Sequence, residues 1–251
     1  MAIATGPGAG DAHHASGPDS TAFVLRAFAG GTAGASGKLR GARLTVLPFA
    51  DKVGARIGRY LVGFWPAERG RLSSTAYANP SEFIRVTPES RDEQISEHFR
   101  LGDFLTHDQA DVWPKYLVLR PGLVDKLELV IADLRSRGIR VDRLAVMSGF
   151  RTPAYNANGG DPRGRAQDSR HQFGDAADVY VDNGTGRMAD LNGDGRVDWR
   201  DAQVIVRAVD RVERAHPELT GGAGVYAATP AHGPFAHVDV RGTRARWGLG
   251  A

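Results

Sequence analysis

The chain of 251 residues is 41% hydrophobic and 24% charged with a formal net charge of +3, a composition typical of globular proteins and long enough for one large domain or a domain with a small accessory. It has no cysteine, which excludes disulfides and thiolate metal sites, so any metal must be held by His, Asp, Glu or backbone oxygens. No apolar run approaches the roughly 18–20 residues of a membrane span, and the arginine-rich basic residues form no cluster interleaved with aromatics, which argues against a nucleic-acid surface.

Residues 1–40 are rich in Gly, Ala and Ser and read as a flexible N-terminal segment that lacks the charged and apolar regions of a signal peptide. From 41 to 95, short apolar runs at 44–49, 60–65 and 83–86 are broken by Gly, Pro and polar turns. This pattern predicts a small β-rich accessory module, with a hinge near 87–97. Residues 121–137 predict a helix. Pro121 suits its first turn, Leu123, Val124, Leu127, Val130, Ile131 and Leu134 recur at helical spacing, and Gly138 stops it. A buried strand is expected over 141–147, further strands over 176–181, 224–228 and 235–241, and a second helix over 199–215. Helices and strands that do not alternate regularly predict an α+β domain over 96–251, with a small, mostly antiparallel sheet and flanking helices. His13, His14, His98, His107 and His216 have no visible partners and read as surface or packing residues.

The densest chemistry lies in Ser169-Arg170-His171-Gln172-Phe173-Gly174-Asp175-Ala176-Ala177-Asp178. An imidazole and a carboxylate separated by a Gly turn and small residues can be brought to one point, with Asp178 projecting from the start of a strand. His237, on another expected strand, would be a third ligand. Two imidazoles and one carboxylate leave a fourth position for water, as catalytic zinc requires. Spacing alone is a moderate signal, because a His and an Asp this close are more often ordinary hydrogen-bonding residues.

The surrounding residues shift that balance. Ser148-Gly149-Phe150-Arg151-Thr152-Pro153 with Tyr155-Asn156, then Ser169-x-His171-x-x-Gly174-x-Ala176-x-Asp178, then His237-Val238-Asp239-Val240-Arg241-Gly242 followed by Arg246-Trp247, resemble the zinc D-Ala-D-Ala carboxypeptidase family, whose fold is shared with lysostaphin-like peptidases and the hedgehog signalling domain. Phe99-x-Leu101-Gly102-x-Phe104 and Leu119-Arg120-Pro121 are similar to its N-terminal part, so the resemblance covers about 97–247 in the family's order. It implies that His171, Asp178 and His237 hold Zn2+, and that the substrate is a peptidoglycan stem peptide. It also implies that Arg151 binds a substrate carboxylate or the oxyanion of the tetrahedral intermediate. Ser169 would bind substrate or simply cap its loop. Relatives often carry a glutamate three residues before the last ligand, or a histidine two before it, to handle protons; Pro234 and Phe235 stand there. Two candidates are left for proton transfer. His232 lies in a Gly/Pro loop. Asp239 lies on the same strand face as His237 and would be either a base or a partner that orients an imidazole.

Between the second and third zinc candidates runs Asp190-Leu191-Asn192-Gly193-Asp194-Gly195-Arg196-Val197-Asp198-Trp199-Arg200-Asp201. Asp190, Asn192, Asp194, Asp198 and Asp201 fall at the oxygen-donor positions of a calcium loop, Gly195 at its sharp turn, and Arg196 would offer only its backbone carbonyl. The loop ends in Asp instead of a bidentate Glu and no clear helix precedes it, so it looks like a dockerin-type half-site inside an insert over 189–216. A structural Ca2+ is expected there; an acidic solvated turn is the bland alternative. Calcium and the missing cysteines both favour an extracytoplasmic location, in the periplasm or cell envelope. The rival to a zinc peptidase is a non-catalytic wall-binding or scaffolding protein that keeps the metal centre as structure.

Overall fold

A computed structural model describes residues 22–23, 44–158 and 166–250 of the chain. Apart from Ala22–Phe23, the N-terminal segment expected over 1–40 lies outside them. Six short strands come first: β1 (Ala22–Phe23), β2 (Leu44–Pro48), β3 (Arg56–Ile57), β4 (Tyr60–Leu61), β5 (Glu82–Val86) and β6 (Lys115–Leu117). They form an antiparallel sheet in the order β1-β2-β5-β6 and a separate β3–β4 hairpin. Helix α1 (Pro121–Ser136) follows, then β7 (Arg143–Ser148), α2 (Pro153–Asn158), β8 (Ala176–Asp182), α3 (Trp199–Ala215), β9 (Gly222–Tyr226), β10 (Phe235–Asp239) and β11 (Ala245–Gly248). The second sheet runs β11-β9-β10-β8-β7 and is antiparallel except where β11 pairs with β9. The chain is thus α+β with mostly antiparallel sheets.

Both long helices form for the reasons their sequences give. All six apolar residues that recur along α1 are buried, each worth roughly 1.5–3 kcal/mol when withdrawn from water. Asp198 caps α3 by accepting from the Arg200 amide at 2.7 Å, while Asp201 accepts from the Asp198 amide at 2.9 Å, a reciprocal pair that satisfies two orphan donors. Helix α3 packs on β9 and β10, and its Ala202, Ile205, Val209 and Val212 share one buried core with Ala177, Val179 and Val181 of β8 and Ala236 and Val238 of β10. Strand alternation then sends Asp178 of β8 and His237 of β10 to the opposite face.

The sheet crosses the hinge expected near 87–97, because β6 pairs with β5 and the buried core runs without interruption from Leu44 to Val238. Hydrogen bonds also fasten the first segment to the second. Trp65 donates its indole N–H to the Gln172 carbonyl at 2.7 Å, and the Ala154 amide donates to the Val62 carbonyl at 3.0 Å.

Candidate metal centre

The antiparallel register places His237 of β10 directly opposite Asp178 of β8. A bulge in β7 at Met147 brings Ser148 opposite Asp178 as well. His171 arrives from outside the sheet, on the single helical turn Arg170–Phe173. That turn is closed by Gly174 at φ +67°, a left-handed conformation that favours glycine; a side chain there would also overlap the Val118 carbonyl. The glycine of the Ser-x-His-x-x-Gly pattern is therefore what lets the His171 turn seat against the segment leading into α1.

The three ligand candidates converge. His171 Nε2 lies 3.2 Å from His237 Nδ1 and 3.3 Å from Asp178 Oδ1, and His237 Nδ1 lies 3.1 Å from Asp178 Oδ1. Zinc bonds of about 2.0–2.1 Å give a tetrahedral edge of about 3.3 Å, so the triangle has the dimensions of one face of a zinc tetrahedron. The partners on the far sides of the rings decide what this triangle contains. His171 Nδ1 faces the Gly149 carbonyl at 2.7 Å, which only accepts, so that nitrogen carries the proton and Nε2 is a bare lone pair. His237 Nε2 faces Asp239 Oδ2 at 3.0 Å, which assigns the proton of the neutral ring to Nε2 and leaves Nδ1 bare in that form. Two imidazole lone pairs and a carboxylate oxygen can thus point at one spot, all three residues are buried, and such a group could hold a metal ion.

The electrostatics agree. Burial pushes the pKa of His171 down, and the Arg151 charge adds to it. Burial opposes ionisation of Asp178, but its contacts with His171 and His237 outweigh this and hold the carboxyl well below the usual range. For His237 burial is again the largest influence, yet hydrogen bonds to Asp178 and Asp239 overcome it and raise the pKa. Two carboxylates demand a positive charge between them, and a bound metal would supply it in place of the proton. Among the described residues, His171, Asp178 and His237 are the only group of three or more His, Cys, Asp or Glu whose ligand atoms come within 4.8 Å of one another.

The first motif supplies much of the support around this triangle. Arg151 pairs through Nη2 with Asp178 Oδ2 and donates from Nε to Ser148 Oγ at 2.8 Å, which fixes the Asp178 oxygen that faces the imidazoles. Thr152 caps α2 by accepting from the Tyr155 amide at 3.1 Å. Ser169 is buried at the start of the His171 turn, and its hydroxyl does not cap that turn.

The two proton-transfer candidates part company. Asp239 is fully buried and lies behind the His237 ring, on the side away from the triangle. Its oxygens accept from His237 Nε2, the Arg241 side chain and the amides of Gly222 and Arg241. Burial works against its ionisation, but His237 and Arg241 hold its pKa far below the usual range. Its contact with His237 Nε2 at 3.0 Å is the geometry of a partner that orients an imidazole, the second of the two roles the sequence left open for it. His232 is half-buried in its loop, packs edge-on against Phe235 with ring centroids 5.0 Å apart, and donates from Nδ1 to the Gly233 carbonyl at 2.8 Å.

The acidic loop behaves differently from the triangle. Asp190 accepts from the amides of Gly193 and Gly195, Asn192 from Asp194, Asp194 from Arg196, and Asp198 from Arg200. Asp201, expected as the last cation ligand, is fully buried with one oxygen on the Leu191 amide and the other on the Asp198 amide. The carboxylates of Asp190, Asp194, Asp198 and Asp201 do not gather as those of a metal group do.

Sequence reasoning missed the aromatic flank of the centre. Trp247 lies against His237 with ring centroids 5.1 Å apart, and donates from its indole N–H to the Tyr226 hydroxyl at 2.9 Å. It occupies space left by Gly224, where a Cβ would overlap the indole. The spacing Gly222-Ala223-Gly224-Val225-Tyr226 was the available signal, since glycines two apart on one strand face mark the close approach of another group. No protein-family model matches the chain, and no curated protein or solved structure is significantly similar to it.

Proposed function

We propose that the protein is a zinc hydrolase that cleaves peptide bonds in bacterial cell-wall stem peptides, of the D-Ala-D-Ala carboxypeptidase or endopeptidase type. The observation that carries this reading is the triangle of two bare imidazole nitrogens and one carboxylate oxygen with edges of 3.1–3.3 Å. A nitrogen-rich set of three with room for a fourth ligand suits zinc better than calcium or magnesium, which prefer all-oxygen shells. When bound, zinc supplies Lewis acidity and a water of lowered pKa. The chain's own residues do the rest. Asp239 and the Gly149 carbonyl hold the imidazole tautomers, and Arg151 anchors Asp178 and lends positive charge beside the developing oxyanion. His232, with Nε2 left to accept, takes the proton from the attacking water and returns it to the leaving amine. One water is consumed, and a carboxylate and an amine are released.

The substrate class rests on the ordered motifs shared with wall peptidases, as does the extracytoplasmic location. The test is His171→Ala. It should lose zinc and all cleavage of purified stem peptide while keeping its fold; full activity in that variant sinks the reading. One observation favours a rival, a metal-bearing wall-binding or scaffolding protein. Pro234 and Phe235 fill the positions where relatives keep a proton-handling side chain. Zinc-loaded protein that releases neither D-Ala nor any cross-link fragment from muropeptides, with or without chelator, would decide for the rival. We further read the acidic loop as a weak structural Ca2+ site, on its donor spacing alone; emission spectroscopy finding zinc but no calcium after dialysis against millimolar calcium would refute this.

A further inference from the structure

The sheet face that carries Asp178 and His237 continues along β9, where Tyr226 stands opposite Phe235. The two rings stack nearly parallel, 4.5 Å apart and 5° from coplanar, which fixes the plane of the phenol. An indole nitrogen can only donate, so the Tyr226 oxygen accepts a hydrogen bond from Trp247 and keeps its own O–H for another acceptor. Among the described residues no protein group takes that proton. The hydroxyl lies one indole away from the His237 ring, and Asp178 and Arg151 both act on it electrostatically. Its half-buried position at the edge of the metal centre leaves it open to a bound ligand.

We propose that Tyr226 is a catalytic residue of the hydrolysis proposed above, its hydroxyl donating a hydrogen bond to the oxyanion that develops on the scissile carbonyl. The inference rests on that reading and adds a group to it. A donor is the physically consistent role. Burial raises the pKa of Tyr226, so the phenol is a poor proton source but a persistent hydrogen-bond donor at neutral pH. Donors held in place before the charge develops need no reorganisation when it does, and the stacked, indole-anchored phenol meets that condition. No bond to the phenol forms or breaks.

The test compares wild type with Tyr226→Phe, which keeps the ring stack, in the full-length zinc-loaded protein. Three readouts are taken: zinc Kd by chelator competition, kcat and KM on a stem peptide ending in D-Ala-D-Ala, and calorimetric affinity for the phosphinate isostere of that peptide. The expected result is a kcat lower by about 100- to 1000-fold and phosphinate binding weaker by at least about tenfold, with KM and zinc Kd within about twofold of wild type. Wild-type kcat and phosphinate affinity in the variant overturn the inference and leave the hydrolase reading standing. A zinc Kd that weakens in step with kcat also overturns it, because the hydroxyl would then only be anchoring Trp247 against His237. If wild type neither cleaves the peptide nor binds the phosphinate, the hydrolase reading falls and this inference falls with it.

Discussion

Replacing Asp239 by Asn tests the tautomer argument on which the metal centre depends. The side chain keeps its size and one oxygen. Asp239 Oδ1 accepts from the Gly222 amide at 2.7 Å and the Arg241 amide at 3.1 Å, so the amide oxygen takes that place and the NH2 group turns to His237 Nε2. An NH2 group only donates, so Nε2 must accept. The imidazole proton then moves to Nδ1, the atom 3.1 Å from Asp178 Oδ1 and 3.2 Å from His171 Nε2. One of the three lone pairs is lost from the triangle. Removing a partner of this kind lowers metal affinity by about 10- to 100-fold, or about 1.4–2.7 kcal/mol. Competitive titration of zinc against a chelator near neutral pH measures the change, with circular dichroism confirming the fold. A folded Asp239→Asn protein whose zinc Kd stays within about twofold of wild type would refute the assignment of the imidazole protons.

Three further outcomes follow from packing and charge. Gly224→Ala puts a methyl group into the indole of Trp247 and should cost about 1–3 kcal/mol, read as a lower Tm with a shifted tryptophan emission; an unchanged Tm would contradict the close approach. Lys126 is fully buried between the Glu213 carboxylate at 2.6 Å and the Asp239 carbonyl at 2.7 Å, so Lys126→Met should destabilise the protein by about 3–5 kcal/mol in urea unfolding. A neutral result would mean that Glu213 is fully satisfied by Arg246 and the Gly221 amide. Burial opposes ionisation of Glu128, but its hydrogen bonds from His98 outweigh that and depress its pKa. Its contribution is therefore present above the ordinary glutamate value and lost as pH falls through the lower folded value. The stability gap between wild type and Glu128→Gln should shrink over that acid range, and a gap independent of pH would count against the pairing.

The sequence carried the metal triangle well, because ligand chemistry and motif order are both written locally. His171, Asp178 and His237 are recognisable without knowing that register sets two of them opposite each other. The support behind them was less legible. Asp239 was placed on the correct strand face, but only the three-dimensional contact with His237 Nε2 separates an orienting carboxylate from a base. Arg151 read as a ligand for a substrate carboxylate or the oxyanion; its pairing with Asp178, 27 residues on, was not legible because no local pattern announces it. Helices α1 and α3 were plain from spacing and caps. Strand β6 is only three residues long and β11 ends in glycine, so neither offers the alternation by which strands are found. The partner of His98 was invisible because Glu128 lies 30 residues away in sequence, on α1. The acidic loop shows the opposite limit: donor spacing is local, but each carboxylate can satisfy the loop's own amides, and spacing does not choose between those amides and an ion.

The bond from the Trp65 indole to the Gln172 carbonyl has a consequence for how this chain can be divided. Gln172 is the neighbour of His171, so the turn that delivers a metal ligand is braced by a residue more than a hundred positions earlier. A chain begun at residue 96 would retain His171, Asp178 and His237, yet would lose that brace and the β5 edge on which β6 pairs. The half that carries the triangle is thus not a transplantable unit. A shortened chain meant to keep the triangle should start before β2, and a screen of truncations would find the boundary by where metal affinity fails.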